Sequence, residues 1–303
     1  MTNNINYSKR IIAFVDILGF KEIIRESDKD TSKITTIYEV LDYLKKLGDS
    51  NNWTTDLLSV EESAQYKGID KFNVKDNINS TSFSDSIVVS IELDDNINEM
   101  TSTLIVNLAY IGTILIKKGI LIRGGITTGN LVHNEDGIVF GQGLIDAYML
   151  ESKAAKFPRI ILSNKLIGQL NYPLLSKRER YPYHLYVERF QDGCVGFHQM
   201  IFYQVMQSSS FLNKELRIKD LDIIRKIIVK GLDNSFEAPE VYEKYIWLRE
   251  QYKRLVILSD TDFETQTDEN VKFKIRDVNE GIAGPNIHYK YTDDFYESRR
   301  NSK

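Results

Sequence analysis

Two aspartates stand where short apolar runs of the chain end or begin. Asp16 follows the run 11–15, Ile-Ile-Ala-Phe-Val, and Asp85 comes shortly before the run 87–91, Ile-Val-Val-Ser-Ile. Both runs are short and rich in β-branched residues, which predicts buried strands. If these strands are neighbours in one sheet, the two carboxylates converge at a place where burial is costly without a cationic partner. Paired carboxylates of this kind suit Mg²⁺ or Mn²⁺.

The composition restricts the partners that we expect. The 303 residues are 42% hydrophobic and 11% aromatic, enough for a large core, and the formal net charge is −4. This charge gives no electrostatic reason to expect nucleic acid or an anionic membrane as a partner. The single cysteine, Cys194, excludes an internal disulfide and fits a reducing cytoplasm. No signal peptide is visible, and no apolar run reaches about 18 residues, so we expect no membrane-spanning segment.

The first half of the chain alternates strand and helix patterns. A strand at 11–16 precedes a helix over 31–47, and a strand at 86–92 precedes a helix over 98–118. The apolar face of the first helix is predicted to contain Ile34, Ile37, Tyr38, Leu41 and Leu44, and that of the second Met100, Leu104, Leu108, Ile111 and Leu115. The polar stretch 48–80 is long for a compact loop, which indicates an insertion or a lid.

The second half begins with a strand that starts at Ile120, and Gly129-Asn130 is predicted to be a turn. A short strand returns from Gly137, and a helix over 144–156 leads to a strand at 159–163. Because of the strand–turn–strand segment, at least one strand pair must be antiparallel, within an α/β fold. We predict two domains, 1–205 and a helical extension with a loosely ordered tail over 206–303.

Four motifs within residues 9–165 resemble those of class III nucleotide cyclases, the adenylate and guanylate cyclase family. The motifs are 14–20 (Phe-Val-Asp-Ile-Leu-Gly-Phe), 84–86 (Ser-Asp-Ser), 123–129 (Arg-Gly-Gly-Ile-Thr-Thr-Gly) and 140–163. The first two are similar to the metal motifs of the family. The other two are similar to its glycine-punctuated strand and to its closing helix and strand.

The resemblance implies a fold, a metal content and an assembly. The fold would be the ferredoxin-like palm of these cyclases, with a central, mostly antiparallel sheet flanked by helices and, here, a C-terminal helical extension. Two divalent ions, Mg²⁺ or Mn²⁺, would be bound by Asp16, the Ile17 carbonyl and Asp85. The family also implies a homodimer whose active sites are shared across the interface.

This sequence departs from the purine cyclases at four informative positions. Thr81 and Ile138 stand where those enzymes carry the lysine and aspartate that read the purine edge. Ile145 and Met149 stand where they carry the asparagine and arginine of the transition-state helix. This variant resembles the pyrimidine cyclases of Pycsar anti-phage defence. The resemblance therefore implies conversion of UTP or CTP to a 3′,5′-cyclic monophosphate and pyrophosphate, in the cytoplasm, with a separate cyclic-nucleotide-binding effector downstream.

The remaining site residues are predicted from this chemistry. Gly19 and Phe20 lie at the start of a helix, where backbone N–H groups form a phosphate cradle. Arg123 or Arg159 is predicted to stabilise charge on the phosphoryl group, because the usual arginine is missing. Tyr148 is predicted to orient the nucleotide.

Other interpretations of the same residues stay open. Asp16 could cap a helix, Asp85 could be a solvated turn residue, and Arg123 could pair with a surface carboxylate. Gly124-Gly125 could serve tight packing. At the level of function, the alternatives are a catalytically inactive cyclase-like domain that binds a nucleotide and signals, and a purine cyclase with altered base contacts.

Overall fold

The structure is a computed structural model, and it describes five stretches of the chain: 5–48, 78–93, 95–173, 181–205 and 214–263. The segment predicted to be an insertion or lid, 48–80, lies outside these residues except at its two ends. The tail predicted to be loosely ordered, 264–303, lies outside them altogether. The insertion and the tail therefore stay predictions.

Two compact units divide the chain, Met1–Phe211 and Leu212–Lys303. In chain order, the described elements of the first unit are β1 (Ser8–Ile17), α1 (Phe20–Ser27), α2 (Ser32–Gly48), β2 (Ile78–Phe83), β3 (Ser86–Glu92), α3 (Ile97–Lys117), β4 (Ile122–His133), β5 (Val139–Phe140), α4 (Gln142–Ala154), β6 (Arg159–Leu162), α5 (Asn164–Ile167), α6 (Tyr183–Tyr186), β7 (Glu188–Arg189), β8 (Val195–His198) and α7 (Ile201–Val205). Those of the second unit are α8 (Lys214–Asn234) and α9 (Pro239–Phe263).

The strands of the first unit form one sheet in the order β2-β3-β1-β4-β6-β8-β7, and β5 pairs with β4. Only the β4–β6 pair is parallel among the described strands, and the other pairs are antiparallel. The molecule is thus mixed α/β, with a large, mostly antiparallel sheet flanked by helices, and this part of the predicted fold is confirmed.

The central strand β1 is buried on both faces. Ile12 and Phe14 point towards α4, where they pack with Val88, Leu131 and Ala147. Ile11, Ala13, Val15 and Ile17 are also buried, and alternation along a strand directs them to the opposite face. Asp16 has the parity of Ile12 and Phe14, so its side chain lies on the α4 side of the sheet.

The predicted turn at Gly129-Asn130 is wrong, because β4 continues through both residues to His133. Gly129 pairs with Arg10 across the β1–β4 ladder. A Cβ on Gly129 would lie 2.6 Å from the Cα of Gly143 in α4. The glycine therefore serves close packing of strand against helix rather than a change of chain direction.

Two further details differ from the sequence-based predictions. The buried residues of α2 include Ile37, Val40 and Leu44, whereas Ile34 and Tyr38 are 53% and 70% exposed. The predicted apolar face is therefore rotated by roughly one residue position. A strand, β2, also occupies 78–83, where the sequence suggested the end of a polar insertion. Its residues Asn-Ser-Thr-Ser are polar, and pairing with β3 rather than hydrophobicity defines the strand.

Helix α3 is long and apolar enough to cross a membrane by length and composition alone, and no other described helix is. Of its most apolar window, 78% is buried inside the fold. The predicted stripe of this helix, Met100, Leu104, Leu108, Ile111 and Leu115, is buried. Such burial is typical of the core helix of a soluble protein.

In the second unit, the two helices α8 and α9 pack against each other. Their buried residues include Leu221, Ile224 and Ile228 from α8 and Leu248 and Leu255 from α9. The Tyr252 hydroxyl donates a hydrogen bond of 3.2 Å to the Leu221 carbonyl, which ties the two helices together within their apolar contact.

Candidate active site

The structure brings Asp16 and Asp85 to the same edge of the sheet. Asp16 is near the end of β1 and pairs in the ladder with Ser86, the first residue of β3. Asp85 is in the two-residue turn that joins β2 to β3, and its carbonyl accepts a hydrogen bond of 3.0 Å from the Ile17 N–H. This main-chain bond fixes the turn to the end of β1, so the two aspartates are held as neighbours by backbone geometry.

The turn itself is strained. Ser84 adopts a φ of +52°, the only positive φ of a non-glycine residue in the described part of the chain. Such a conformation is uncommon for a residue with a side chain, and it suits the two-residue hairpin turns that join antiparallel strands. The turn therefore places Asp85 at a defined position and retains some strain.

Arg123 connects Asp16 to a third carboxylate, Glu151. The Arg123 Nη2 lies 3.6 Å from the Asp16 Oδ2, and its Nε forms an ion pair with the Glu151 Oε1. The Glu151 side chain is only 2% exposed, whereas those of Arg123 and Asp16 are 26% and 18% exposed. Arg123 is thus held from the buried side by Glu151 while it faces the half-buried Asp16.

The β1–β4 register and the close packing of α4 bring these three residues together. Asp16 and Arg123 are direct partners in the β1–β4 ladder, so their side chains leave the sheet on the same face. Glu151 lies one turn after Ala147 on α4, and Gly125 allows this helix to approach closely: a Cβ there would lie 2.9 Å from the Ala147 carbonyl oxygen. The predicted packing role of the glycine pair is consistent with this approach.

Gln199 fixes the start of β4 and hence Arg123. Its Oε1 accepts a hydrogen bond of 2.8 Å from the Ile122 N–H. Its Nε2 donates to the carbonyls of Ile120 at 3.1 Å and Gly112 at 3.2 Å. The buried amide therefore satisfies three backbone groups at the point where α3 leads into β4.

Burial and the charges of neighbouring acids raise the pKa values of two carboxyl groups in the cluster, Asp16 and Glu151. Burial raises the pKa of Asp16, a hydrogen bond of 3.0 Å from the Ser86 hydroxyl opposes this, and the charge of Asp85 raises the pKa again. Burial also raises the pKa of Glu151 to about 7, against the attraction of Arg123 and with help from Asp16 and Asp85. Asp16, Asp85 and Glu151 are therefore close enough for their negative charges to repel one another.

We expect Glu151→Gln to remove part of the pH dependence of stability. Because burial raises the pKa of Glu151 from 4.5 to about 7, the folded protein binds this proton more tightly than the unfolded chain. Its contribution to the free energy of unfolding is thus full below pH 4.5 and is lost as the pH rises through about 7. Each pKa unit corresponds to about 1.4 kcal/mol.

Urea unfolding at pH 5 and pH 7.5, without divalent metal, measures this effect. The difference between the two pH values should be smaller in Glu151→Gln than in the wild type. Glu135→Gln, at an exposed position, is the control and should behave as the wild type. Equal pH dependence in Glu151→Gln and the wild type would contradict the assignment.

The donor set around Asp16 fits a hard divalent cation. The cluster has more carboxylates than the single Arg123 guanidinium can neutralise, so it attracts a cation. Carboxylate oxygens are also ligands of Mg²⁺ and Mn²⁺. Within the described stretches, no group of three or more His, Cys, Asp or Glu side chains could hold a metal ion. Asp16 and Asp85 would therefore share it with other oxygen ligands, such as the Ile17 carbonyl and phosphate oxygens.

The predicted phosphate cradle lies directly after Asp16. Gly19 has a φ of +72° and directly precedes α1 as its N-cap residue, and its carbonyl accepts hydrogen bonds from the amides of Glu22 and Ile23. The amides of Gly19, Phe20 and Lys21 precede the first of these intrahelical bonds, as at any helix N-terminus. A glycine is required at this position because a side chain would strain the left-handed backbone.

Thr81 and Ile138 also come together. The Thr81 hydroxyl lies 3.2 Å from the carbonyl oxygen of Gly137, the neighbour of Ile138. Ile138 is at the end of the β4–β5 turn, where its N–H donates to the Asn134 Oδ1 at 2.8 Å, and its side chain is 56% exposed. The two positions that the sequence resemblance assigns to base reading are therefore adjacent, and one of them is an exposed apolar side chain.

The helix α4 presents an apolar outer face. Ile145, Tyr148 and Met149, at i, i+3 and i+4, are all exposed, and the Tyr148 ring packs edge-on against Phe14 with 5.5 Å between centroids. Tyr148 is one turn before Glu151 on the same helix. The ring contact places Tyr148 against Phe14, which lies two residues before Asp16 on the same face of β1.

Arg159 is placed differently from Arg123. Its side chain is 1% exposed, forms an ion pair with Asp192 and lies over the rings of Phe157 and Phe190. The hydrogen bond from Arg159 lowers the pKa of Asp192. The structure thus pairs Arg123 with Asp16 and Glu151, and it pairs Arg159 with Asp192.

Glu151 is a site residue that the sequence did not reveal. It is on an amphipathic helix among the polar residues Asp146, Ser152 and Lys153, which are typical neighbours of a surface glutamate. A usable signal was its spacing from Ala147, because residues four apart share a helix face and the small Ala147 marks the face against the sheet.

Comparison with models of known protein families finds none that matches this chain, and comparison with curated proteins finds no significant match. The function therefore has to be inferred from the geometry of the site and from the motifs of the sequence.

Proposed function

We propose that the protein is a pyrimidine nucleotide cyclase that converts UTP, or alternatively CTP, to its 3′,5′-cyclic monophosphate and pyrophosphate. The observation that carries the proposal is the meeting of Asp16 and Asp85, far apart in the chain, through the Ile17–Asp85 backbone hydrogen bond. The ordered motifs of the class III cyclases and the mostly antiparallel sheet support it. A palm-type catalytic unit with a helical extension belongs to the same proposal.

The reaction assigns a task to each group. The ribose 3′-oxygen forms a bond to the α-phosphorus, the bond from that phosphorus to the bridging oxygen breaks, and the hydroxyl proton is released. Mg²⁺ or Mn²⁺ ions held by Asp16, Asp85 and the Ile17 carbonyl would supply Lewis acidity to the attacking and leaving oxygens. Arg123 neutralises charge on the phosphoryl oxygens, and Glu151 positions Arg123 from behind.

The direct test is incubation of the pure protein with each of the four ribonucleoside triphosphates and Mn²⁺ or Mg²⁺, followed by mass spectrometry. A cyclic pyrimidine nucleotide with stoichiometric pyrophosphate supports the proposal, and a cyclic purine product would replace it by a purine cyclase. Metal-dependent nucleotide binding without any product would favour a catalytically inactive cyclase-like domain, which the apolar Ile145 and Met149 on α4 specifically suggest.

We also propose that the active form is a homodimer with its sites shared between protomers. The exposed apolar stripe of α4, Ile145 with Tyr148 and Met149, lies beside the site, and such a face is stabilised by burial against a second copy. A cytoplasmic location and a separate effector that binds the cyclic product complete the proposed context.

Ile145→Glu is expected to weaken the dimer by about 100-fold or more, because a charge would be buried at the centre of the interface. The fraction of dimer, measured by sedimentation equilibrium, and the cyclase activity should fall together as the protein is diluted. Ile34→Glu changes an equally exposed isoleucine on α2, 53% against 54%, and should leave the dimer unchanged. An unaltered dimer in Ile145→Glu would show that this helix is not in the interface.

A further inference from the structure

A second polar network lies on the same face of the sheet as Asp16, and the proposed chemistry does not use it. It joins Arg10, Ser90 and His133, all buried, to the half-buried Thr81. The strand register places it on the α4 side: Thr81 pairs with Val88 and Asn79 pairs with Ser90, and Val88 packs against Ile12 and Phe14. The network is therefore part of the surface that carries the acidic cluster.

Two hydrogen bonds of the network involve a partner that can play only one role, and the directions of the two histidine bonds are inferred from them. The Arg10 guanidinium can only donate, so its Nε donates to the Ser90 hydroxyl at 2.8 Å. The Gly137 carbonyl can only accept, so the Thr81 hydroxyl donates to it at 3.2 Å. The Thr81 end decides the tautomer of the histidine between them, because Thr81 has a single hydrogen to donate, whereas the Ser90 oxygen can accept from Arg10 and still either donate or accept again.

His133 connects the two ends as one tautomer. Its Nε2 lies 2.9 Å from the Thr81 hydroxyl, whose hydrogen is already committed, so Nε2 carries the proton and donates. Its Nδ1 lies 2.8 Å from the Ser90 hydroxyl and accepts the hydrogen of that group. Burial, aided by the charge of Arg10, lowers the pKa of His133 to about 4, which keeps the ring neutral as this arrangement requires.

The network determines which hydrogen bonds the Thr81 hydroxyl can still make. Its single hydrogen is donated to Gly137, one lone pair accepts from His133, and a hydroxyl oxygen has a second lone pair. Thr81 is only partly buried and is next to the exposed Ile138, so this lone pair is the polar feature that the pair offers to a ligand. A donor on the ligand would be satisfied there, and a second acceptor would be repelled.

We propose that Arg10, Ser90 and His133 hold the Thr81 hydroxyl as an obligatory hydrogen-bond acceptor, and that Thr81 selects a pyrimidine whose edge presents an N–H group. The inference deepens the proposed function and rests on it for the class of nucleotide. Uracil offers its N3–H and cytosine its N4 amino group, and the two share this donor chemistry. Thr81 is the specificity-determining residue, and His133 is a positioning residue that acts through it.

The test measures binding, so it does not depend on turnover. Calorimetry with α,β-methylene forms of UTP and CTP, which cannot release pyrophosphate, is compared with the N3-methyl-uracil and N4,N4-dimethyl-cytosine forms of the same nucleotides. The wild type should prefer one parent base over its methylated form by about tenfold or more, the scale of one lost hydrogen bond. The base that shows this preference identifies the substrate.

Variants separate the hydrogen bond from mere steric fit. Thr81→Val keeps the shape without the acceptor and should bring the preference close to unity, whereas Thr81→Ser keeps the hydroxyl and should retain it. His133→Phe should reduce the preference, and His133→Gln, which retains an N–H donor, should restore most of it. A purely structural role of His133 would change stability without changing this ratio.

The outcomes distinguish the two proposals. A wild-type preference that survives in Thr81→Val overturns the role of Thr81, whatever the protein catalyses. Selective binding that depends on Thr81, without any cyclic product from the unmodified triphosphates, supports the acceptor site and overturns the cyclase function. Failure to bind any of the four nucleotides overturns both.

Discussion

Asp16→Ala is expected to abolish formation of the cyclic nucleotide, with a loss of about 10³-fold or more in kcat. Removal of a single group that stabilises transition-state charge has an effect on this scale, and Asp16 is also the carboxylate that joins Arg123 to the Asp85 turn. The measurement is the initial rate of cyclic nucleotide formation by liquid chromatography and mass spectrometry at saturating Mn²⁺ and nucleotide.

The same variant gives a readout that is independent of activity. Because burial raises the pKa of Asp16, its ionised carboxylate destabilises the folded state when no metal is bound. The variant should therefore have a melting temperature no lower than that of the wild type. Mn²⁺ with nucleotide should raise the melting temperature of the wild type by mass action but not that of the variant. Asp28→Ala, at an exposed position at the end of α1, is the control for both measurements. Full activity in Asp16→Ala would exclude the proposed metal site.

Arg123→Lys is expected to lower kcat by about 10²-fold or more while KM changes only a few-fold. Lysine keeps the charge but not the planar fork that contacts Asp16 and Glu151 together, and arginines that stabilise phosphoryl transfer contribute about 10³–10⁵-fold. The charge retained next to Glu151 should preserve folding, which circular dichroism and thermal melting verify. Single-turnover rates at saturating nucleotide measure the effect on chemistry.

Arg159→Lys is the matched comparison, because Arg159 was the other arginine predicted to contact the phosphates. In the structure it is paired with Asp192 and stacked on Phe157 and Phe190. Its replacement should therefore lower the melting temperature and leave kcat of the folded protein within a few-fold of the wild type. A large loss of kcat in Arg159→Lys with normal activity in Arg123→Lys would reverse the assignment of the two arginines.

The sequence by itself determined the elements that depend on local pattern. The β-branched runs around Ile12 and Val88 predicted strands that lie inside the sheet, each with a neighbour on both sides, and the periodic apolar residues of α3 predicted its buried stripe. Both patterns are strong because most of their side chains are buried, so hydrophobicity and secondary structure agree. The sequence pattern is misleading where segments are weakly hydrophobic. It does not indicate the polar strand β2, and it predicts a turn at Gly129-Asn130, which lies within β4.

Only the tertiary structure decided which residues share the site. The sequence indicated Asp16 and Asp85 as acids at strand ends, but their proximity depends on the β1–β3 register and on the Ile17–Asp85 backbone bond. Arg123 and Arg159 were equivalent as sequence; the β1–β4 ladder places one beside Asp16, while Asp192 holds the other. Glu151 and His133 were invisible as site residues, since long-range pairing and close packing, which no local pattern encodes, bring them to Arg123 and Thr81.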